Sequence, residues 1–532
     1  MINPAKNVVR LKTFGQHLPS RWRFLIVVLL ILGVFFRFAN LDHKLYWHDE
    51  AYTSLRAAGF TSQEIGQEIF QNQIFAPQDL HKYQGLKRGS TIANTIESLA
   101  IEDPQHPPLY FLIARFWMQL VGSSITASRL LPALLSLLSL PLMYGLGLEL
   151  FASPLAALLA TVLLALSPFD ILFAQIARQY SFLTCAVIGS SFLLLRALRL
   201  STWRNWGLYT LAIALGLYTH AFFCLAVISH LLFVMGHWLL ITDKGHRTKE
   251  YLKFFLSIAA ALVLYSPWLV VLISNSQRAL RVTSWSSGPV DVLLLVQLWT
   301  LSFTSLFLDV YFDSNLVLTY LLRSLIVLLI AAAIYTVCCR TSQTTWLFIL
   351  TSIFVPFLIL ALPDLILGGK RSAVTRYLIP CFPAVQLAVA YFLATKIPNG
   401  RQIWRIALAL LLTGSIASCT VSALSDTWWS NIPSYFNAEV ARRINANPSP
   451  LLVSDAGNDS TNLGDLISLS YLLHNDVQLL LLSLPADLKV LPNNSHPFVF
   501  RPSEPLRKAL QQEQGQLKRV FPSGQLWQLQ RS

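Results

Sequence analysis

The stretch Phe24-Leu-Ile-Val-Val-Leu-Leu-Ile-Leu-Gly-Val-Phe-Phe-Arg-Phe-Ala39 carries one charge and follows a basic segment holding Lys6, Arg10, Lys12, Arg21 and Arg23. A cleaved secretory signal would close on small residues, whereas this run closes on Phe-Phe-Arg-Phe. It reads as a retained first membrane span, with residues 1–23 in the cytoplasm. Similar apolar runs recur over 126–150, 153–173, 180–198, 206–222, 223–241, 251–273, 316–337, 344–362, 377–395 and 403–423, which makes eleven candidate spans. Two weaker segments remain: 107–121, which holds Arg115, and 291–308, which ends at Asp309. Positive charge orients the whole. The linkers 196–205 (Arg196, Arg199, Arg204), 242–253 (Lys244, Arg247, Lys249, Lys253) and 396–405 (Lys396, Arg401, Arg405) belong on the cytoplasmic side, and they reach it when neither weak segment crosses. If both cross there are thirteen spans, and the two basic linkers before residue 291 face the wrong way.

Composition agrees. Of 532 residues, 54% are hydrophobic and 12% charged, where a soluble chain carries about a quarter charged. Mean hydropathy is +0.54. Aromatics at 12% and long apolar runs exclude a disordered chain. Net charge is +14, from 40 Lys and Arg against 26 Asp and Glu, but much of the excess sits in short segments between apolar runs. Membrane orientation accounts for it there, so no nucleic-acid partner is expected. The six cysteines all fall in apolar stretches without metal or redox spacing. The expected fold is an all-α polytopic membrane protein of 24–423 with a long first outer loop, 40–107. A tail, 424–532, alternates strand-like runs (Leu451-Leu-Val-Ser, Val477-Gln-Leu-Leu-Leu, Phe498-Val-Phe) with helical ones (463–473, 504–514), as a small α/β domain on the outer side would.

Several groups that bear chemistry share the expected outer face. The first loop opens with Tyr46-Trp47-His48-Asp49-Glu50, a carboxylate pair that suits a base at the membrane surface or simply a solvated helix start. It closes with Asp103-Pro-Gln-His106-Pro107-Pro108, whose prolines mark the start of the next helix. Arg178-Gln-Tyr180 follows the Ser167-Pro-Phe-Asp170 break, and His220 lies in the turn Leu-Tyr-Thr-His-Ala. Gly368-Gly-Lys370-Arg371-Ser-Ala-Val-Thr-Arg376-Tyr377 places three basic residues on the outside, against the positive-inside bias. Arg278 and Arg281 add to that face. Interfacial arginines can snorkel to headgroups. Binding a phosphate is the other reason for outer-face positive charge.

In this order the segments resemble the polytopic C-superfamily glycosyltransferases, notably the protein O-mannosyltransferase and aminoarabinose transferase group and their bacterial relatives. The matching pieces, across roughly 25–395, are Asp49-Glu50-Ala, His106-Pro-Pro-Leu-Tyr-Phe, Ser128-Arg129-Leu-Leu-Pro-Ala, Pro141-Leu-Met-Tyr-Gly, Ala165-Leu-Ser-Pro, Arg178-Gln-Tyr180, Tyr218-Thr-His220 and Arg376-Tyr377-Leu-Ile-Pro. The resemblance implies inverting transfer of a sugar from a polyprenyl-phosphate donor to an acceptor hydroxyl at the outer face. That face is the periplasmic side of a bacterial inner membrane or the lumenal side of an internal one, and the compact length and the loops without cysteine favour the first. Asp49 matches the family's first-loop carboxylate, with Glu50 beside it. A base must take the acceptor's proton, while the departing phosphate needs positive charge, for which Arg178, Lys370, Arg371 and Arg376 are the candidates. Tyr180 and Tyr377 would add hydrogen bonds, with His106 and His220 in support. Some relatives use a divalent metal, for which Asp49, Asp103 and His106 offer ligands, so a metal stays open. The acceptor, whether lipid, glycan or protein, also stays open. A transporter or flippase for a lipid-linked sugar is the alternative; it would ordinarily show internal repeats or midplane charges, and no repeat is evident.

Overall fold

The computed structural model describes residues 20–240, 248–310, 317–399, 402–458, 461–492, 497–521 and 525–530. Lys6, Arg10, Lys12, Lys244, Arg247 and Arg401, and most of the expected cytoplasmic segment 1–23, lie outside these. The chain forms two compact units. A membrane unit takes in residues up to Ala39, Asp103–Tyr110 and Arg129–Ala423, and a sheet unit takes in Asn40–Glu102, Phe111–Ser128 and Leu424 onward.

All eleven expected runs are helical. Eight helices among the described residues are long and apolar enough to cross a bilayer, nine if the bent pair Pro154–Ala165 and Pro168–Ala174 is one span. The other two are Ser20–Phe38, which carries Arg21, Arg23 and Arg37, and Trp203–Thr219, 17 residues long. The chain is an integral multi-pass membrane protein. The weak segments are the helices Leu109–Val121 and Val292–Thr304, of 13 residues each. Each is about 20 Å long, too short for a hydrocarbon core of about 30 Å.

Local sequence explains the break after residue 165. Ser153 and Ser167 each cap a helix, accepting from Ala156 N and Asp170 N, and Pro154 and Pro168 pre-set the first turns. The two helices meet at 54°. The break leaves the last carbonyls of Pro154–Ala165 without intrahelical partners, and Arg37 supplies them. Wholly buried, it donates from Nη1 to Ala165 O (2.6 Å) and Gly33 O (2.8 Å), from Nη2 to Leu164 O (3.2 Å) and from Nε to Ser136 Oγ (3.0 Å). This approach requires glycine at position 33, where a Cβ would stand 2.5 Å from Ala165 O. At the centre of the unit runs Phe382–Lys396, buried from Phe382 to Thr395 and packed on Pro154–Ala165. Its Gln386 donates to Asp170 Oδ2 (2.9 Å). At one end of the bundle the linkers expected in the cytoplasm tie their helices together: Arg199 pairs with Glu149 (2.7 Å), and Lys253 Nζ donates to Ser201 O (2.9 Å).

Among the described residues the sheet unit is built on six strands: β1 (Gln73–Phe75), β2 (Leu451–Ser454), β3 (Gln478–Leu481), β4 (Phe498–Phe500), β5 (Gln516–Arg519) and β6 (Leu526–Gln530). Their order is β1-β3-β2-β4-β6-β5. The central pairs β2·β3 and β2·β4 are parallel; the helix Asn462–Ser470 joins β2 to β3, the helix Glu504–Glu513 follows β4, and the three strands are buried, so they read as continuous apolar runs. The three tail strands expected from sequence are β2, β3 and β4. The edge strand β1 comes from the first loop and pairs antiparallel with β3, Ile74 opposite Leu480. Asn72, at φ +59°, fixes that edge: its N donates to Leu481 O (2.9 Å), its Nδ2 to Ser483 Oγ (2.9 Å), and its Oδ1 accepts from Ser483 N (3.0 Å). The helix Ser62–Ile69, just ahead of β1, turns its apolar side into the unit, where Ile65 and Ile69 are fully buried.

Candidate functional site

Five segments distant in sequence meet in the membrane unit, away from the Arg199 and Lys253 end. The prolines at 107 and 108 stop the chain short of a helix, and His106 precedes them. Its Nε2 lies 3.4 Å from Arg178 Nη2 and its Nδ1 3.2 Å from Gln179 Nε2. A guanidinium only donates, so Nε2 is the acceptor there. Arg178 is buried and lies over the Tyr180 ring, 5.7 Å from its centroid. Arg376 approaches the same ring at 6.0 Å, Trp285 at 5.9 Å and Tyr377 at 5.6 Å. His220, buried where Trp203–Thr219 ends, stands edge-on to His106 (6.2 Å) and beside Tyr180 (5.9 Å). Phe222 stacks on both His220 (5.5 Å) and Tyr377 (4.1 Å). Two guanidiniums thus converge on one aromatic wall.

The loop carrying Arg376 is held from beneath. Asp364, buried near the end of Gln343–Leu367, accepts from Ser372 N and Ser372 Oγ, both at 2.6 Å. Trp299 Nε1 donates to Ser372 Oγ (2.9 Å), and Lys370 N donates to Ser286 O (2.9 Å). Gly368 and Gly369, at φ +78° and +140°, turn the chain here. A Cβ at Gly369 would meet Asp364 Oδ1 at 2.6 Å.

In the sheet unit, Asp49 lies in the first turn of the helix His48–Ala58 and is half-buried. Glu50 beside it is fully buried, and its Oε2 accepts from Trp47 N (2.9 Å), closing the helix start as a capping-box residue does.

Of the residues expected from sequence, the membrane unit brings together His106, Arg178, Tyr180, His220, Arg376 and Tyr377. Lys370 joins at the rim, its Nζ 5.6 Å from the Trp285 centroid. Arg371 is exposed and donates to Ser287 Oγ (2.9 Å). Arg278 and Arg281 are exposed on the short helix Ser276–Thr283. Sequence reading passed over Gln179, Phe222 and Trp285. Gln179 was signalled by its place between Arg178 and Tyr180, whereas Trp285, alone in a polar loop, carried no signal. Among the described residues no three His, Cys, Asp or Glu side chains form a metal-binding group.

Comparison with known proteins bears on this arrangement. Residues 105–271 match the family described as dolichyl-phosphate-mannose-protein mannosyltransferase. The fold is similar to that of ArnT from Cupriavidus metallidurans bound to undecaprenyl phosphate, with a TM-score of 0.54 at 13% identity over 96% of this chain and 98% of that one. It is also similar to the oligosaccharyltransferase of Archaeoglobus fulgidus in its apo form, with a TM-score of 0.51 at 13% identity, covering 88% of this chain and 65% of that one. No curated protein matches the chain in sequence. The resemblance read from the ordered motifs holds: this is the fold of the C-superfamily membrane glycosyltransferases.

Proposed function

Because the chain has the fold of the C-superfamily membrane glycosyltransferases, we propose that it transfers a hexosyl or pentosyl group, with inversion, from a polyprenyl-phosphate donor to an acceptor hydroxyl of a lipid, glycan or protein. The observation that carries this reading is the convergence of Arg178 and Arg376 on Tyr180, beside His106 and Tyr377. Two guanidiniums held against one aromatic wall suit an oxygen anion, which a planar fork of donors binds well. The likeness to an undecaprenyl-phosphate complex supports a lipid-linked phosphate as that anion.

The acceptor oxygen attacks the anomeric carbon as the bond from that carbon to the phosphate oxygen breaks. Asp49 takes the hydroxyl proton. The phosphate leaves as a weak base, so it needs no general acid, and the guanidiniums of Arg178 and Arg376 stabilise the charge it gathers. Lys370 and Arg371 draw the headgroup in from the rim, Tyr180 and Tyr377 donate hydrogen bonds, and His106 and His220 hold the wall. Glu50 keeps the first turn that presents Asp49. The reaction runs on the periplasmic face of a bacterial inner membrane.

The test is transfer or release of sugar from a panel of radiolabelled polyprenyl-phosphate sugars by protein in lipid vesicles, with Asp49→Asn alongside. Loss of a positioned base costs about 10²- to 10⁴-fold, so the variant should lose turnover to that extent while still binding undecaprenyl phosphate. Undiminished turnover by the variant removes Asp49 from the role. Lipid passage across the vesicle without sugar transfer favours the flippase.

A further inference from the structure

The helix that carries Asp49 starts against the tail, within the sheet unit. Its first backbone amide, His48 N, donates to Ser434 Oγ (3.1 Å), and the same hydroxyl donates to Asp465 Oδ1 (2.5 Å). The other oxygen of Asp465 lies 3.6 Å from His48 Nδ1 and pairs with Arg501 Nη1. Asp465 is fully buried in the first turn of Asn462–Ser470. On either side, Trp47 Nε1 donates to Ile432 O (2.9 Å), and Gly464 brings its backbone so close that a Cβ would meet Tyr52 Cε2 at 2.5 Å and His48 Nδ1 at 2.8 Å. Arg501 adopts φ +42° directly after β4, a conformation that non-glycine residues hold only where the surroundings impose it.

We propose that Asp465 is a positioning residue: with Ser434 and Arg501 it fixes the first turn of the helix His48–Ala58 and so the direction of the Asp49 carboxylate. A buried ion pair is a weak device for stability, since apolar residues of similar volume often do as well. What it supplies here is direction. Residues 47, 48 and 52 are all gripped from the tail, and Asp49 lies between them. The proposal rests on Asp49 being the base, and its test is chosen to separate the two.

Hydrogen exchange of the amides of 46–54 is followed in the full-length protein in lipid, for wild type, Asp465→Asn and Ser434→Ala. Loss of these bonds should speed exchange there about 3- to 10-fold, with the membrane helices unchanged. With a donor that wild type turns over, Asp465→Asn should lower kcat about 10- to 100-fold, as a misplaced catalytic group does, and leave affinity for undecaprenyl phosphate unaltered. The double variant Asp49→Asn/Asp465→Asn should be no slower than Asp49→Asn alone. Unchanged exchange in the variants, or losses that multiply in the double variant, overturn the proposal. Should Asp465→Asn fail to fold, Ser434→Ala, which removes one hydroxyl, decides by exchange. A wild type that turns over no donor overturns the functional reading, while the exchange experiment still decides the positioning role.

Discussion

Arg376 spreads a planar guanidinium across three aromatic rings, and the shape of that group matters as much as its charge. Arg376→Lys keeps the charge and gives up the fork and the stacking. Each such contact is worth about 0.5 to 2 kcal/mol, so affinity for undecaprenyl phosphate should fall about 10-fold or more, read by displacement of a labelled lipid. Equal affinity would mean that charge alone holds the headgroup. Arg37 offers a second test. Removing one partner from a buried charged network costs about 3 to 5 kcal/mol, and Arg37→Met should leave the end carbonyls of Pro154–Ala165 unpaired, lowering the melting temperature in detergent. Residues of these two kinds differ in how plainly sequence announces them. Arg376 was legible because positive charge on the outer face contradicts the bias of its neighbours. Arg37 looked like an ordinary span end, because its partners lie about a hundred or more residues away.

The edge strand β1 and the turn after it join the first loop to the tail. Asn72→Ala removes two side-chain hydrogen bonds and puts alanine at φ +59°, which should cost about 2 to 4 kcal/mol and open the loop to limited proteolysis near residue 72. Beyond β1, the segment Pro77–Gln84 lays His81 flat on Tyr471, with centroids 4.0 Å apart. Burial is the main cause that holds the His81 imidazole below its usual value of 6.5, and burial pushes the Tyr471 phenol up to about 12. The unfolded chain therefore takes a proton on His81 below pH 6.5 that the folded one refuses, so stability falls as pH drops through that value. His81→Gln should flatten the pH dependence of melting between about pH 5 and 6.5; an unchanged slope would assign the effect elsewhere. None of this pairing could be read beforehand. β2, β3 and β4 are legible as apolar runs, but Gln73-Ile-Phe75 is too short to show a period, and its partner lies some four hundred residues along the chain.

At the scale of the molecule, hydropathy was enough to mark all eleven runs that prove helical, because a bilayer admits only self-satisfied backbone and asks for long apolar segments. Sidedness rests on charge alone and is open to a direct check. In a background freed of its own cysteines, Leu280→Cys should react with a membrane-impermeant maleimide from the side opposite the basic linkers and Trp203→Cys from the side of those linkers; both side chains are well exposed, at 62% and 68%. The reverse pattern would invert the topology. The sheet unit has a history as well as a shape. Its strand β1 is made early and β2 late, with the 375 residues 76–450 between them. At 5–20 residues per second a ribosome spends roughly 20 to 75 s on that interval. For that time the helix His48–Ala58 waits without Ser434, Asp465 and Arg501, so its first turn goes unheld until the tail arrives.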